Sequence, residues 1–181
     1  VREMGQAYPE LIRAEPLIID YYGQQFPSLA LQIAAKSLNL NSKDIKVTLG
    51  ESVALGNKVV RTDDEAKMYT YFYKDRDGRA AFPIDSFFDV YSGKIPATKY
   101  ADKIVLIGAV AAGIGTSQVT PISAQMNPVT TLAHSVSSLL SEHFFVAPTW
   151  GAYATIGIYL LVALYLILLL PRLGAGMGAI F

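Results

Sequence analysis

The feature that most constrains this chain is a long uncharged run near its C-terminus, residues 150–170. As an α-helix, a run of that length covers about 30 Å, which is the hydrocarbon thickness of a bilayer. Trp150, Tyr153 and Arg172 lie near the ends of the run, where aromatic rings and basic side chains reach the membrane interface. A buried core helix is the alternative, but such helices rarely lack charge on every face. We therefore predict a transmembrane helix over residues 150–170 and a tethered domain over residues 1–149.

Both edges of the sequence suggest a piece of a larger membrane protein. Position 1 is valine and no apolar segment precedes the tethered domain, although a domain outside the membrane normally needs a signal or an anchor. Residues 171–181 are predicted to form a short cytoplasmic turn and the start of a second transmembrane helix. No Lys or Arg occurs between Ile104 and Pro171, so the positive-inside tendency predicts that Arg172 is cytoplasmic and that residues 1–149 are extracytoplasmic.

Charge and cysteine content exclude several classes of function. The formal net charge is zero, so no basic surface indicates a nucleic-acid partner. The chain has no cysteine, which excludes disulfides and thiolate metal sites and leaves the redox compartment open. We expect no cofactor and no metal ion.

Local patterns in the first half of the tethered domain predict a short buried strand, a helix and a hairpin. The apolar residues 17–19 indicate the strand, and Pro27 with Ser28 opens the helix, Ser28 serving as its N-cap. Gly56-Asn57 has the chemistry of a two-residue hairpin turn between two β-prone runs. The aromatic run 68–73 is a further candidate strand. Asp75 to Gly78 faintly resembles a calcium loop, but turn chemistry explains it better.

The second half contains the strongest candidate for a buried strand, residues 103–107. This run is apolar and β-branched without alternation, which is typical of a strand covered on both faces in a parallel sheet. A glycine-containing loop, residues 108–115, follows it. Its spacing fits neither the dinucleotide fingerprint nor the P-loop, so we interpret its glycines as enabling a sharp turn. Short helical patterns occupy residues 86–91, and Pro128 opens a longer helix through residue 140, with an apolar stripe opposed by Ser and Thr.

No arrangement of side chains in the tethered domain indicates catalysis. His134 and His143 lack the spacing of metal ligands. His134 lies on the polar side of the predicted Pro128 helix, where we expect it to be solvated or hydrogen-bonded; a pH-responsive group in a receptor is the alternative. Ser28 has no nucleophile-elbow context. The adjacent carboxylates of residues 63–65 are expected to be solvated.

Several ordered blocks resemble the CHASE2 sensory domain. The helix of residues 26–35 is similar to the Tyr-Pro-Ser-Leu-Ala-Leu helix of that family, and its best segment corresponds to residues 88–96 followed by 102–109. The resemblance continues with Ala112–Gly115, Thr120-Pro121 and three positions of the last helix before the membrane, Ala133, Leu139 and Leu140. It covers roughly residues 12–181.

The chain also departs from the family pattern at polar positions. Thr116 stands where the family commonly has Asp, residues 129–131 replace Gly-Val-Glu, and residues 132–134 replace His-Ala-Asn. These departures are consistent with a diverged subset that senses something different.

The resemblance implies an α/β domain, with a mixed or parallel sheet flanked by helices and followed by a transmembrane α-helix. It also implies the input module of a receptor in the bacterial inner membrane, with the output domain beyond residue 181. The alternatives are the regulatory part of an adenylate or guanylate cyclase or of a histidine or serine/threonine kinase, and a passive membrane-anchored interaction domain. For the fragment itself we expect no enzymatic activity.

The expected partners are an unknown small-molecule ligand, membrane lipid and a second copy of the chain in a homodimer. Open α/β sheets usually bind ligands at the carboxyl ends of their strands, which here means the region after residues 103–107. The candidate ligand-binding residues are Gly108, Gly113, Thr116, Thr120 and His134.

Overall fold

The computed structural model describes residues 11–110, 116–146 and 150–168. The chain divides into two compact units, residues 1–146 and residues 147–181. The first unit is a mixed α/β domain. The second contains a single described helix.

The described residues contain ten short strands and four α-helices. The strands are β1 Ala14–Pro16, β2 Ile18–Tyr21, β3 Gln24–Pro27, β4 Ile45–Thr48, β5 Ser52–Leu55, β6 Lys58–Arg61, β7 Lys67–Thr70, β8 Gln118–Thr120, β9 Ser123–Met126 and β10 Phe144–Phe145. The helices are α1 Leu29–Ser37, α2 Phe87–Tyr91, α3 Pro128–Ser141 and α4 Gly151–Leu168, with 3₁₀ turns at Ser42–Asp44 and Ala97–Tyr100.

The strands form four small sheets whose neighbouring strands all run antiparallel. Two are hairpins, β2–β3 and β8–β9, and a third is the meander β4–β5–β6. The fourth has the order β1–β7–β10 and joins three parts of the chain that are far apart in sequence. Its central strand, β7, therefore pairs with two strands that are far from it in sequence, and it positions the candidate site.

The hydrophobic core lies between two helices and the inner faces of the meander and of β7. Leu31 of α1, Leu139 of α3, Leu55 of β5 and Met68 of β7 are all fully or almost fully buried there. Alanines dominate the inner face of α1, so that this helix approaches its neighbours closely. Burial of these apolar side chains is the main favourable term that holds the first unit together.

Several local predictions are confirmed. The helix predicted after Pro27 is α1, and its N-cap is Ser28, whose Oγ accepts a hydrogen bond from the Leu31 N–H at 3.3 Å. The Gly56-Asn57 pair closes the β5–β6 hairpin. The helices predicted near residues 86–91 and from Pro128 are α2 and α3.

Replacing Ser28 with alanine is expected to lower the free energy of unfolding by about 1 kcal/mol, because the Leu31 N–H loses its partner in a buried setting. Chemical denaturation of the full chain measures this. Ser28→Thr is the control, since threonine keeps a capping oxygen and should recover part of the loss. An alanine variant as stable as the original would show that the cap contributes nothing.

The predicted parallel sheet is wrong for the described residues. Residues 104–110 have no regular secondary structure, and Ile107 is 77% exposed, so the segment expected to be a strand covered on both faces is neither a strand nor covered. An apolar run forms a strand only if a neighbouring strand accepts its backbone hydrogen bonds, and within the described ranges none pairs with these residues.

The C-terminal helix α4 contains only uncharged residues and occupies most of the run 150–170. Among residues 11–110, 116–146 and 150–168, no helix meets the combined length and hydropathy required of a membrane crossing. Residues 169–181, which include the end of that run and the predicted second transmembrane helix, lie outside the described part of the chain.

Candidate functional site

Helix α3 buries polar side chains as well as its apolar stripe. Thr131, His134, Ser135 and Ser138 are each at most 5% exposed, although the sequence pattern places them opposite the apolar stripe. His134, expected to be solvated or hydrogen-bonded, is buried and hydrogen-bonded. Small hydroxyl side chains can be buried at low cost when each finds a hydrogen-bond partner. Here the Thr131 hydroxyl donates to the Asn127 carbonyl, and the partners of Ser135 and Ser138 lie on β1, β7 and the extended residues after β7.

Residues 71–73 follow β7, and two side chains of α3 form hydrogen bonds with backbone groups there that a neighbouring strand would otherwise bond. The Ser138 hydroxyl accepts a hydrogen bond from Tyr71 N–H and donates one to the Tyr71 carbonyl, both at 3.1 Å. One turn earlier, His134 Nδ1 accepts from Tyr73 N–H at 3.1 Å. Four residues of helix rise about 6 Å and two residues of strand about 6.7 Å, so the two repeats match closely enough for both contacts. We call these contacts, with those of Ser135, the polar seam.

The third member of the polar seam brings a carboxylate into the domain. The Ser135 hydroxyl lies 3.4 Å from Glu15 Oε2 of β1, to which it donates, and 3.5 Å from the Thr70 hydroxyl. Partial burial raises the pKa of Glu15 above its usual value, while the hydrogen bond from Ser135 opposes that shift. The seam therefore links β1, β7 and α3 through the buried hydroxyls of Ser135 and Thr70 and the half-buried carboxylate of Glu15.

Three aromatic rings surround the imidazole of His134. The Phe82 ring packs edge-on with centroids 4.8 Å apart, the Phe72 ring lies at 5.2 Å, and the Tyr73 ring is stacked at 5.9 Å. This desolvation lowers the pKa of His134 to about 4, against a smaller opposing effect from the Asp75 carboxylate. The ring is thus neutral near pH 7, and because Nδ1 accepts a hydrogen bond, the ring proton is assigned to Nε2.

Tyr73 contacts both histidines of the chain. Its backbone N–H donates to His134, and its hydroxyl lies 3.1 Å from His143 Nδ1. His143 is exposed and follows the C-cap of α3, where its own N–H donates to the Ser138 carbonyl. The end of α3 is therefore attached to residues 71–73 at three successive points. Sequence spacing does not indicate this arrangement, since Tyr73 lies 61 residues before one histidine and 70 before the other.

The structure places the predicted ligand-binding residues in different local settings. Thr120 is buried and its hydroxyl donates to the Ser123 carbonyl at 3.1 Å, which closes the β8–β9 turn. Thr116 and Gly108 are exposed, His134 is in the polar seam, and Gly113 lies outside the described residues. As a set of ligand contacts these residues remain a prediction.

Gly108 packs directly against the first turn of α3. A Cβ atom at this position would lie 2.8 Å from Val129 Cβ, closer than carbon atoms can approach. We expect Gly108→Ala to lower the free energy of unfolding by roughly 1–3 kcal/mol through overpacking. The double variant with Val129→Ala should recover most of that loss in the same denaturation measurement. A double variant no more stable than Gly108→Ala would rule out this steric cause.

A surface cavity of about 680 Å³ lies among the described residues, at a place that the sequence did not indicate. It is lined by parts of residues 11–16, 63–65, Lys67 and Tyr69. Its carboxylates already serve local structure: Asp63 Oδ1 accepts from the Glu65 and Lys67 N–H groups, and the Glu65 side chain pairs with Lys67. The expectation that residues 63–65 are merely solvated is thus incomplete.

Metal ligands and titratable groups are the remaining candidates for chemistry among the described side chains. No group of three or more potential ligands among them is placed to hold a metal ion. Glu15 and His134 both have shifted pKa values. Each side chain forms a hydrogen bond that joins α3 to another part of the domain, and neither is paired with a nucleophile as a catalytic base would be.

Comparison with protein families identifies the fold family. The CHASE2 domain profile matches residues 9–169, and the chain belongs to this family. CHASE2 domains are extracytoplasmic sensory domains of signalling receptors and are not themselves catalytic. No curated protein and no solved structure gives a significant match to the chain.

Proposed function

We propose that this chain is the input module of a bacterial membrane receptor. The first unit receives a small-molecule signal outside the membrane, and the uncharged run that contains α4 crosses the membrane and passes the signal to a cytoplasmic output domain. The output domain is a nucleotide cyclase or a protein kinase, as in the receptors that the sequence resembles.

The surface of α4 is the observation that carries this proposal. Its exposed apolar side chains are between 40% and 78% accessible, and they point in every direction around the helix. A helix that is apolar all round is stable only when something other than water surrounds it. The uncharged run also extends beyond the described helix to Leu170, and the next basic residue is Arg172, which the positive-inside tendency places in the cytoplasm.

The polar seam provides the route from the first unit towards α4. The last residue of the seam, Ser138, lies thirteen positions before Gly151, the first residue of α4. Its contacts are hydrogen bonds between a helix and an extended segment. A ligand that favours one arrangement of α3 over another shifts its population, and the covalent connection carries that shift to α4.

The absence of cysteine allows a direct test of membrane topology. Lys43→Cys places one thiol on an exposed turn of the first unit, and Leu173→Cys places one after the uncharged run while keeping Arg172. In intact bacterial spheroplasts, a membrane-impermeant maleimide should label the thiol at position 43, and it should label the thiol at position 173 only after permeabilisation. Equal labelling of both variants in intact spheroplasts would overturn the proposed membrane crossing.

Ligand binding distinguishes a sensor from a passive anchored domain. The reconstituted full chain is screened by thermal shift against fractionated extracts of small molecules. The Gly108→Ala/Val129→Ala variant, which is altered at a predicted ligand-binding residue, is screened in parallel. A fraction that raises the melting temperature in a dose-dependent manner supports sensing. No stabilisation by any fraction would favour the passive interaction domain.

A further inference from the structure

The sheet β1–β7–β10 has one buried face and one exposed aromatic face. Residues alternate along β7 and its continuation, so that Met68, Thr70 and Phe72 are buried while Tyr69 and Tyr71 are exposed. An antiparallel sheet with one solvated face normally carries polar side chains there. Here that face carries the rings of Tyr69 and Tyr71 after Lys67 at the start of β7.

The exposed rings form a connected cluster. Tyr71 lies 5.7 Å from Phe145 and 5.9 Å from His143, measured between ring centroids, and 4.9 Å from Tyr73. Phe145 is also the cross-strand partner of Tyr69 and is 61% exposed. We call Tyr69, Tyr71, His143 and Phe145, with the exposed Val146, the aromatic face. The adjacent carboxylate, Glu142, lies 3.7 Å from the Lys58 ammonium, so its charge is compensated.

Few residues separate this face from α4 in sequence. Only five Cα–Cα steps separate Val146 from Gly151, and they span at most about 19 Å when fully extended. If α4 crosses a bilayer, as the proposed function requires, the aromatic face is held within reach of the lipid headgroups. Tyrosine and other aromatic rings favour that depth, because their apolar bodies enter the acyl boundary and their polar ends stay hydrated.

We propose that the aromatic face is a membrane-contacting surface that rests on the headgroup layer of the bilayer that α4 enters. This inference rests on the proposed function. It assigns the contact to lipid and not to a second protein.

Tryptophan fluorescence in reconstituted vesicles tests the inference. The chain has a single tryptophan, Trp150, which reports on the start of α4 in the unaltered protein. In a Trp150→Phe background, Tyr71→Trp places the probe on the aromatic face, far from α4 in sequence. Tyr22→Trp is the matched control, since Tyr22 is 91% exposed in the β2–β3 turn. Tyr91→Trp, 82% exposed on α2, samples another aromatic surface.

The vesicles contain phosphatidylcholine brominated near the headgroup end of the acyl chain, with unbrominated vesicles as reference. We expect roughly a twofold loss of emission at position 71 and little loss at positions 22 and 91. Quenching at position 71 no greater than at position 22 overturns the inference, and cross-linking of a cysteine at position 71 between copies would then assign the face to a second copy. Denaturation of each variant verifies that it is folded.

The same experiment separates this inference from the proposed function. If Trp150 of the unaltered chain is not quenched, α4 does not enter the bilayer and the proposed function fails. If Trp150 is quenched and the probe at position 71 is not, only the membrane-contacting surface is rejected.

Discussion

Replacing His134 with alanine is expected to lower the free energy of unfolding by about 4 kcal/mol. The change removes a ring that is 2% exposed and packed among three aromatic side chains, which leaves a cavity. It also leaves the Tyr73 N–H without the acceptor that it has at 3.1 Å. Since small domains have a total stability of about 5–15 kcal/mol, a loss of this size brings the sensor domain close to unfolding. Urea denaturation of the reconstituted chain measures it.

Two control variants separate the causes of that loss. His134→Phe keeps a ring of similar size but no acceptor, so it should lose about 1–3 kcal/mol for the unpaired N–H alone. His143→Ala removes the exposed histidine that also contacts Tyr73 and should lose less than about 1 kcal/mol. If His134→Ala were no more destabilising than His143→Ala, the seam would not be a structural element of the fold.

The stability of the sensor domain is expected to decrease as the pH falls from about 6.5 to about 4. The folded state holds the pKa of His134 at about 4, whereas in the unfolded chain it returns to its ordinary value near 6.5. Between these values the unfolded state binds the extra proton, so stability rises with pH. The stabilisation is complete above the unfolded pKa and is lost as the pH falls through the folded one. Its full size is on the order of 3 kcal/mol.

Other titrating groups change the stability in the opposite direction or over a different pH range. The pKa of Glu15 is raised by burial, so its contribution is present below the ordinary carboxyl pKa and is lost as the pH rises through the folded value. Asp75 attracts a protonated His134 and reduces the effect. The Lys99 and Tyr100 hydrogen bonds lower the pKa of Asp85, and that contribution is lost only below its ordinary value of 3.8.

His134→Phe should therefore reduce the change of stability with pH between pH 4 and 6.5, measured as urea midpoints at each pH. An unchanged pH dependence would assign the effect to another group.

Sequence reasoning succeeded where structure is decided by a few neighbouring residues. The Ser28 cap, the Gly56-Asn57 turn and the start of α3 at Pro128 each depend on backbone geometry within one turn, which residue type largely determines. Membership of the CHASE2 family was likewise predictable, because ordered blocks of residues carry it.

It failed where the outcome depends on partners far away in the chain. The run 103–107 has the composition of a buried strand, yet a strand needs a second strand beside it, and composition does not supply one. The pattern of α3 places Ser135, Ser138 and His134 opposite its apolar stripe but does not show whether they are buried. Their burial depends on the unpaired backbone groups of Tyr71 and Tyr73, which no local pattern reveals.

The match between the helical and extended repeats in the polar seam restricts how α3 can move. A slide of one residue would turn the helix by about 100° and remove both Ser138 and His134 from the backbone groups they bond. A slide of four residues towards the C-terminus of α3 is a displacement of about 6 Å. It would bring His134 opposite Tyr71 and Thr130 opposite Tyr73. Each backbone N–H would then again face a side chain able to accept a hydrogen bond. Displacements smaller than a whole turn therefore lose both contacts, whereas a whole-turn step can remake them only at the expense of the core packing of Leu139, whose place Ser135 would take.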